Sequence, residues 1–234
     1  MPDSTQPDWE AVLSAASRLQ EILPDAVLVG VTASAVHVRH RLSIDADHIL
    51  MDVRERFDEI LAQLESVAGW KTARSRRPVQ ISGSLDGIET GVRQLIRVAP
   101  LETIQTQVDG YKLTVPSLSE ILRIKAVLIV KRNATRDYVD FAALADSLGS
   151  AGTASALEPF DSLYPQPNGE SALQQLQIQL SNPLPFDLDT NDLREYAQST
   201  PRWHDWSQIK DMCAICAVAI FDSLLDRKSS NLDN

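Results

Sequence analysis

Apolar residues recur at three- and four-residue spacing over Trp9, Val12, Leu13, Ala16, Leu19, Ile22 and Leu23. That period predicts an amphipathic helix, and Pro24 ends it, because proline has no N–H and clashes with the preceding turn. "AVLVG" (26–30) is a short apolar run stopped by glycine and reads as a buried strand. Thr32 then stands where an N-cap would stand, ahead of "ASAVHVRH", so 26–40 reads strand, tight turn, helix. "SIDADHILM" (43–51) alternates again, which puts Asp45 and Asp47 on one face of a strand. Val53, Phe57, Ile60, Leu61, Leu64 and Val67 predict a second amphipathic helix.

Residues 79–100 read as two or three strands, with turns at Gly83 and near Asp86-Gly87. "YKLTV" (111–115) is a further strand, and Pro116-Ser117 introduce a helix carrying Leu118, Ile121, Leu122, Lys125, Leu128 and Ile129. Residues 135–148 predict the next helix. The small residues, glycine and proline of 149–159 and 164–171 predict connections. Helical patterning resumes over 170–181, 190–199 and 203–227. The composition shift places a boundary near 150, giving regions 1–150 and 151–234.

Two hundred and thirty-four residues suffice for one large domain or a domain with an appendage. No apolar run of membrane-spanning length occurs, and "MPDSTQPDWE" has neither the basic nor the apolar region of a signal peptide. Cys213 and Cys216, the only cysteines, fit a reducing compartment. A cytoplasmic protein with no membrane partner is expected. The net charge of −10 disfavours non-specific duplex binding. Against that background "KTARSRR" (71–77) carries four cations and no acid. It reads as a solvated loop, or as a contact for the phosphates of a nucleotide or RNA.

Chemistry concentrates in 28–47. A helix N-terminus offers unpaired N–H groups and partial positive charge to a phosphate, and Gly30 lets the backbone approach it. Two carboxylates two residues apart on one strand, Asp45 and Asp47, present hard oxygen ligands to a divalent cation.

"LVGVTASAVHVRHRLSIDADHIL" resembles the opening motif of AbiEii/AbiGii-type nucleotidyltransferases, within the DNA polymerase β-like nucleotidyltransferase superfamily. Gly30, Thr32, Ala33, His40, Arg41, Ser43, Asp45 and Asp47 match it in place. "SLSEILRIKAVLIVKRNATRDYVDFAAL" resembles the family's downstream helices, with Lys125, Arg132, Arg136, Asp137 and Asp140 on motif positions. The resemblance covers about 25–145.

It implies an α+β fold, a small mixed sheet flanked by helices, with a helical C-terminal part. It implies nucleotidyl transfer from an NTP with Mg²⁺, to a tRNA or protein acceptor, and the setting of a toxin with a cognate antitoxin or of phage defence. Asp45 and Asp47 would hold metal; Gly30, Thr32, Arg41 and Ser43 would line the nucleotide. Lys125 would meet phosphate charge, and Asp137 or Asp140 would orient it or help activate the acceptor. The alternative is a weakened member of the same fold that acts by binding nucleotide or protein.

Two departures from the pattern support that alternative. Val31 replaces a glycine of the turn. "VRQL" (92–95) puts Gln94 where a third carboxylate is expected, with Glu89 available only in another strand register.

Other residues have plainer readings. Lys125 on an apolar helix can lay its stem along the core, and Asp137 and Asp140 can complement a helix dipole. His40 is placed to shape the site, and His37 is expected buried and hydrogen-bonded. Cys213 and Cys216 are expected to be buried thiols within a helix. Trp203 and Trp206, flanking His204, are expected to pack rather than stack a base.

Overall fold

The computed structural model describes residues 8–195 and 200–232. The chain forms two compact units: one runs to Val36 and resumes over Leu42–Ser117, the other joins His37–Arg41 to the chain from Leu118 onward. The composition shift near 150 falls inside a helix of the second unit.

The first unit contains α1 (Trp9–Ile22), β1 (Val27–Leu28), the start of α2 (Gly30–Val38), β2 (Asp45–Leu50), α3 (Phe57–Glu65), β3 (Trp70–Arg76), β4 (Gln80–Leu85), β5 (Ile88–Gln94), β6 (Thr103–Val108) and β7 (Tyr111–Pro116). Five strands form a mixed sheet in the order β1-β2-β5-β4-β3, and β6 and β7 form a separate hairpin. Only β2 and β5 run parallel; the other neighbours are antiparallel.

Alternation decides what each face of this sheet meets. Leu50, Val92, Ile81, Leu85 and Trp70 join Leu19 and Leu23 of α1 with Phe57, Ile60 and Leu64 of α3 in one buried cluster. The opposite face carries Asp45, Asp47, Glu89, Ser82 and Ser84, half-buried or exposed. One face is therefore a core and the other is open to chemistry.

Several elements depart from expectation, each for a physical reason. Residues 71–76 are a strand rather than a loop, since β3 pairs with β4 while exposing everything after Trp70. Gly83 sits inside β4 instead of at a turn; a Cβ there would lie 2.4 Å from the Lys71 carbonyl oxygen. The turn is at Asp86-Gly87, both with positive φ (53° and 86°), as a two-residue hairpin connection demands. The 79–100 stretch thus holds two strands. Thr32 is not an N-cap: α2 begins at Gly30, with Thr32 buried in its first turn. α3 begins at Phe57, four residues after Val53.

The second unit is helical: α4 (Leu118–Arg132), α5 (Thr135–Ala156), α6 (Phe160–Leu163), α7 (Ala172–Ser181) and α8 (Trp206–Leu232). Residues 149–156 are not a connection but continue α5 past a break at Gly149 (φ 71°, ψ 165°), because Thr153 and Ala156 are buried and packing overrides composition. The helix expected over 190–199 is replaced by short 3₁₀ turns at Leu188–Thr190 and Leu193–Glu195; residues 196–199 lie outside the described residues. Asp187 accepts from the Thr135 N–H (2.7 Å) and hydroxyl and so caps α5. Tyr138 meets Trp206 edge to face, centroids 6.0 Å apart. Trp203, Cys213 and Cys216 are core residues, as expected.

Candidate active site

β2 sets the geometry of the first unit's open face. Asp45 and Asp47 stand half-buried on it, with buried Ala46 and His48 between and beyond them on the core side. Ser43 hydrogen-bonds the Asp45 carboxylate through its hydroxyl. The Thr32 hydroxyl donates to the Asp45 carbonyl at 2.6 Å, tying the first turn of α2 to the strand. Gly30 opens that helix at φ +74°, a conformation L side chains rarely adopt, with nothing within 4 Å of where a Cβ would stand. The N-terminal N–H groups of α2 thus follow directly from the strand that precedes the carboxylates. Arg93 Nη2 lies 3.5 Å from Asp47 Oδ2.

The strand register corrects the place of Gln94. In the parallel β2–β5 ladder Asp45 faces Glu89, Asp47 faces Gly91, and Gln94 faces Leu50. Gln94 is five residues from Glu89 and so has the opposite parity. Its Oε1 accepts from the Arg54 N–H at 3.0 Å and its amide also donates to the Met51 carbonyl, clamping the loop after β2. The carboxylate beside Asp45 is Glu89, which is exposed. "IETGVRQ" carried the signal that finds it: Ile88, Thr90 and Val92 alternate toward the core, so Glu89 must share the face of Asp45.

In the second unit Asp140 is the centre of a buried charge cluster. Its Oδ2 pairs with Lys125 Nζ at 2.7 Å. Its Oδ1 accepts from His40 Nε2 (2.7 Å) and Arg41 Nε (2.8 Å), and Arg41 Nη2 donates to Oδ2 at 3.1 Å. Burial by itself would push this carboxyl up; Arg41, Lys125 and His40 together hold it well below the usual carboxylate range. Asp140 thus bridges two cations in a place where Asp140 and Lys125 are almost inaccessible. Asp137 is fully buried in a two-pronged pair with Arg132. The matched residues therefore form two groups: Gly30, Thr32, Ser43, Asp45 and Asp47 in the first unit, Arg41, Lys125, Asp137 and Asp140 in the second.

No protein-family model matches the sequence. The chain is 30% identical over 162 residues to the mycolic acid-containing lipids exporter MmpL11 of Mycolicibacterium smegmatis, a match to 68% of this chain and 16% of that protein. It is 32% identical over 129 residues to the heme uptake protein MmpL11 of Mycobacterium tuberculosis, 54% of this chain and 13% of that protein. The chain thus spans at most about a sixth of the curated relatives it matches. A Helicobacter pylori crystal structure assigned to the nucleotidyltransferases superposes with a TM-score of 0.51 at 16% identity, covering 96% of this chain and 98% of that one. The fold is nucleotidyltransferase-like.

On this fold the open face of the sheet carries Asp45 and Asp47 on β2 and Glu89 on β5, next to the helix that starts at Gly30. The thiols offer no alternative chemistry. Burial raises Cys213 well above its ordinary value and Cys216 to about 12, so both are protonated at neutral pH. Among the described residues no group of three or more His, Cys, Asp or Glu is close enough to hold a metal ion. No described helix is long and apolar enough to cross a membrane.

Proposed function

We propose that the open sheet face of the first unit carries out nucleotidyl transfer, with an NTP as donor and a divalent cation, Mg²⁺, held by Asp45 and Asp47. The observation that carries the reading is the union of these two carboxylates, on one face of β2, with the helix that starts at Gly30 and is tied to Asp45 through Thr32. Hard, half-buried carboxylate oxygens fit Mg²⁺, which takes one or two protein carboxylates plus phosphate oxygens and water. Glu89 supplies a further acidic group from the register position beside Asp45. The N–H groups at the start of α2 bind triphosphate oxygens, and Ser43 orients Asp45. When bound, the cation offsets the negative charge of the phosphates. In the transfer an acceptor oxygen bonds to the α-phosphorus as the bond to the bridging oxygen breaks and pyrophosphate leaves.

The finer reading is of AbiEii type: a tRNA or protein acceptor, and a toxin role with a cognate antitoxin protein or a role in phage defence. Its support is the resemblance over 25–145. A second reading, nucleotide or protein binding without transfer, is favoured by the Arg93–Asp47 pair, in which a guanidinium would compete with the metal for the Asp47 carboxylate.

Titration calorimetry of NTP in the presence and absence of Mg²⁺ tests the site. Binding should require the metal and be lost in both Asp45→Asn and Asp47→Asn. Equal affinity in the wild type and both variants overturns the assignment.

A further inference from the structure

Unpaired cations gather on the same open face. β3 is the edge strand of the sheet, and its register on β4 pairs Lys71 with Ser84, Thr72 with Gly83, Arg74 with Ser82 and Arg76 with Gln80. Ala73 has no partner: it is the extra residue of a bulge. In an unbroken strand the three-residue step from Lys71 to Arg74 would put these two side chains on opposite faces. The bulge absorbs one residue, so Lys71, Arg74 and Arg76 all stand on the face of Ser84, Ser82 and Gln80. β4 pairs those three residues with Glu89, Gly91 and Arg93, and β5 continues the row to Asp45 and Asp47.

Arg18, Arg56, Arg77 and Arg93 of this unit have acidic partners, Asp86, Asp52 with Glu59, Asp58 and Asp47 in turn, and Arg97 donates to the Ala99 and Pro100 carbonyls. Lys71, Arg74 and Arg76 are exposed, and no carboxylate pairs with them among the described residues. Charged side chains on an edge strand also discourage strand-to-strand aggregation. That role needs no common face, and here the bulge supplies one in a chain of net charge −10. Along the strand the three cations stand about 7 Å apart, twice the rise per residue, which matches successive phosphates of an extended single strand. Gly91, without a side chain, leaves the face low between Ser82 and Asp47.

We propose that this row binds the phosphate backbone of a single-stranded nucleic acid along β3, on the sheet face that also carries Asp45 and Asp47. That the bound strand is an acceptor rests on the reading of those aspartates as the transfer site; the binding does not. The acceptor class is then a nucleic-acid strand, and an acidic protein is the competing occupant.

The test is fluorescence anisotropy with a labelled single-stranded RNA 12-mer, without NTP or Mg²⁺, as a function of salt. Each backbone contact contributes roughly 0.7 to the slope of log affinity against log salt, so three contacts weaken binding about 20-fold between 50 and 200 mM. The triple variant Lys71→Gln/Arg74→Gln/Arg76→Gln should bind more weakly and show a slope shallower by about 2. Arg74→Ser/Ser75→Arg conserves charge but moves one cation to the other face, and should bind more weakly than wild type. Asp45→Asn/Asp47→Asn should bind at least as well as wild type, so loss of the transfer reading leaves this result intact. No RNA binding by the wild type, or unchanged affinity and slope in the folded triple variant, overturns the proposal. So does equal binding by the charge-conserving swap.

Discussion

Asp140→Asn removes one charge and leaves a nearly isosteric amide, in a cluster where the consequence can be worked out. The carboxylate is 1% exposed and offsets Lys125, 2% exposed, and Arg41, 9% exposed, with His40 donating from a third side. Without it Lys125 and Arg41 lose the carboxylate that bridges them. Breaking a buried pair by removing one partner costs about 3–5 kcal/mol, against a total stability of about 5–15 kcal/mol for a typical domain. Urea unfolding followed by circular dichroism should show the midpoint falling by a large fraction. The double variant Asp140→Asn/Lys125→Met deletes one orphaned cation and should recover at least about 1 kcal/mol of the loss, a coupling expected of contacting residues. The carboxyl's depressed pKa fixes the acid behaviour as well. Its stability contribution is present above the unfolded value of about 3.9 and is lost as pH falls through the lower folded value. Asp140→Asn within about 1 kcal/mol of wild type, or a double variant no more stable than the single, would show that Asp140 does not hold these cations in place.

Three further outcomes follow from the first unit. His48 is buried, and that burial pulls its pKa down to about 4 from 6.5; the neutral ring therefore contributes stability above pH about 6.5, lost as pH falls toward 4, at most about 3 kcal/mol. His48→Leu should flatten the stability–pH curve in that window, and an unchanged curve contradicts the assignment. Gln94→Ala should cost about 0.5–1.5 kcal/mol through the lost loop clamp while leaving Mg²⁺ affinity unchanged; altered metal affinity would return Gln94 to the site. Gly91→Ala places a Cβ 2.4 Å from the Ile81 carbonyl oxygen and should lower the melting temperature by several degrees for each kcal/mol of strain; a full-stability variant contradicts the ladder register.

The legible parts of the fold were those where one face is buried. α1 and α4 declared themselves by apolar spacing, and β2 by strict alternation, which placed Asp45 and Asp47 together correctly. β3 was unreadable because an edge strand buries little and its bulge breaks the period of two. β6, "TIQTQV", buries little and so lacks an apolar alternation, although Asp109-Gly110 after it is a hairpin turn signal, realised at φ 48° and 92°. The tail of α5 is glycine- and serine-rich, and only its packing makes it helical.

The site was half visible. Motif spacing points to Gln94, whereas parity along β5 points to Glu89. Lys125 read as a side chain along the core or a phosphate contact; its pairing with Asp140 depends on two helices meeting, which no local pattern encodes.

Nucleotidyl transfer at the Asp45–Asp47 face is open to a labelling experiment. The direct measurement uses each of the four NTPs labelled at the α-phosphate, with Mg²⁺ and a pool of total RNA and cellular protein, comparing wild type with Asp47→Asn. Metal-dependent covalent label should appear on an acceptor with the wild type and fall at least about 100-fold in the variant, as for loss of a strong electrostatic contribution at a reacting centre. An unlabelled pool with the wild type, or equal labelling by the variant, contradicts nucleotidyl transfer at this face.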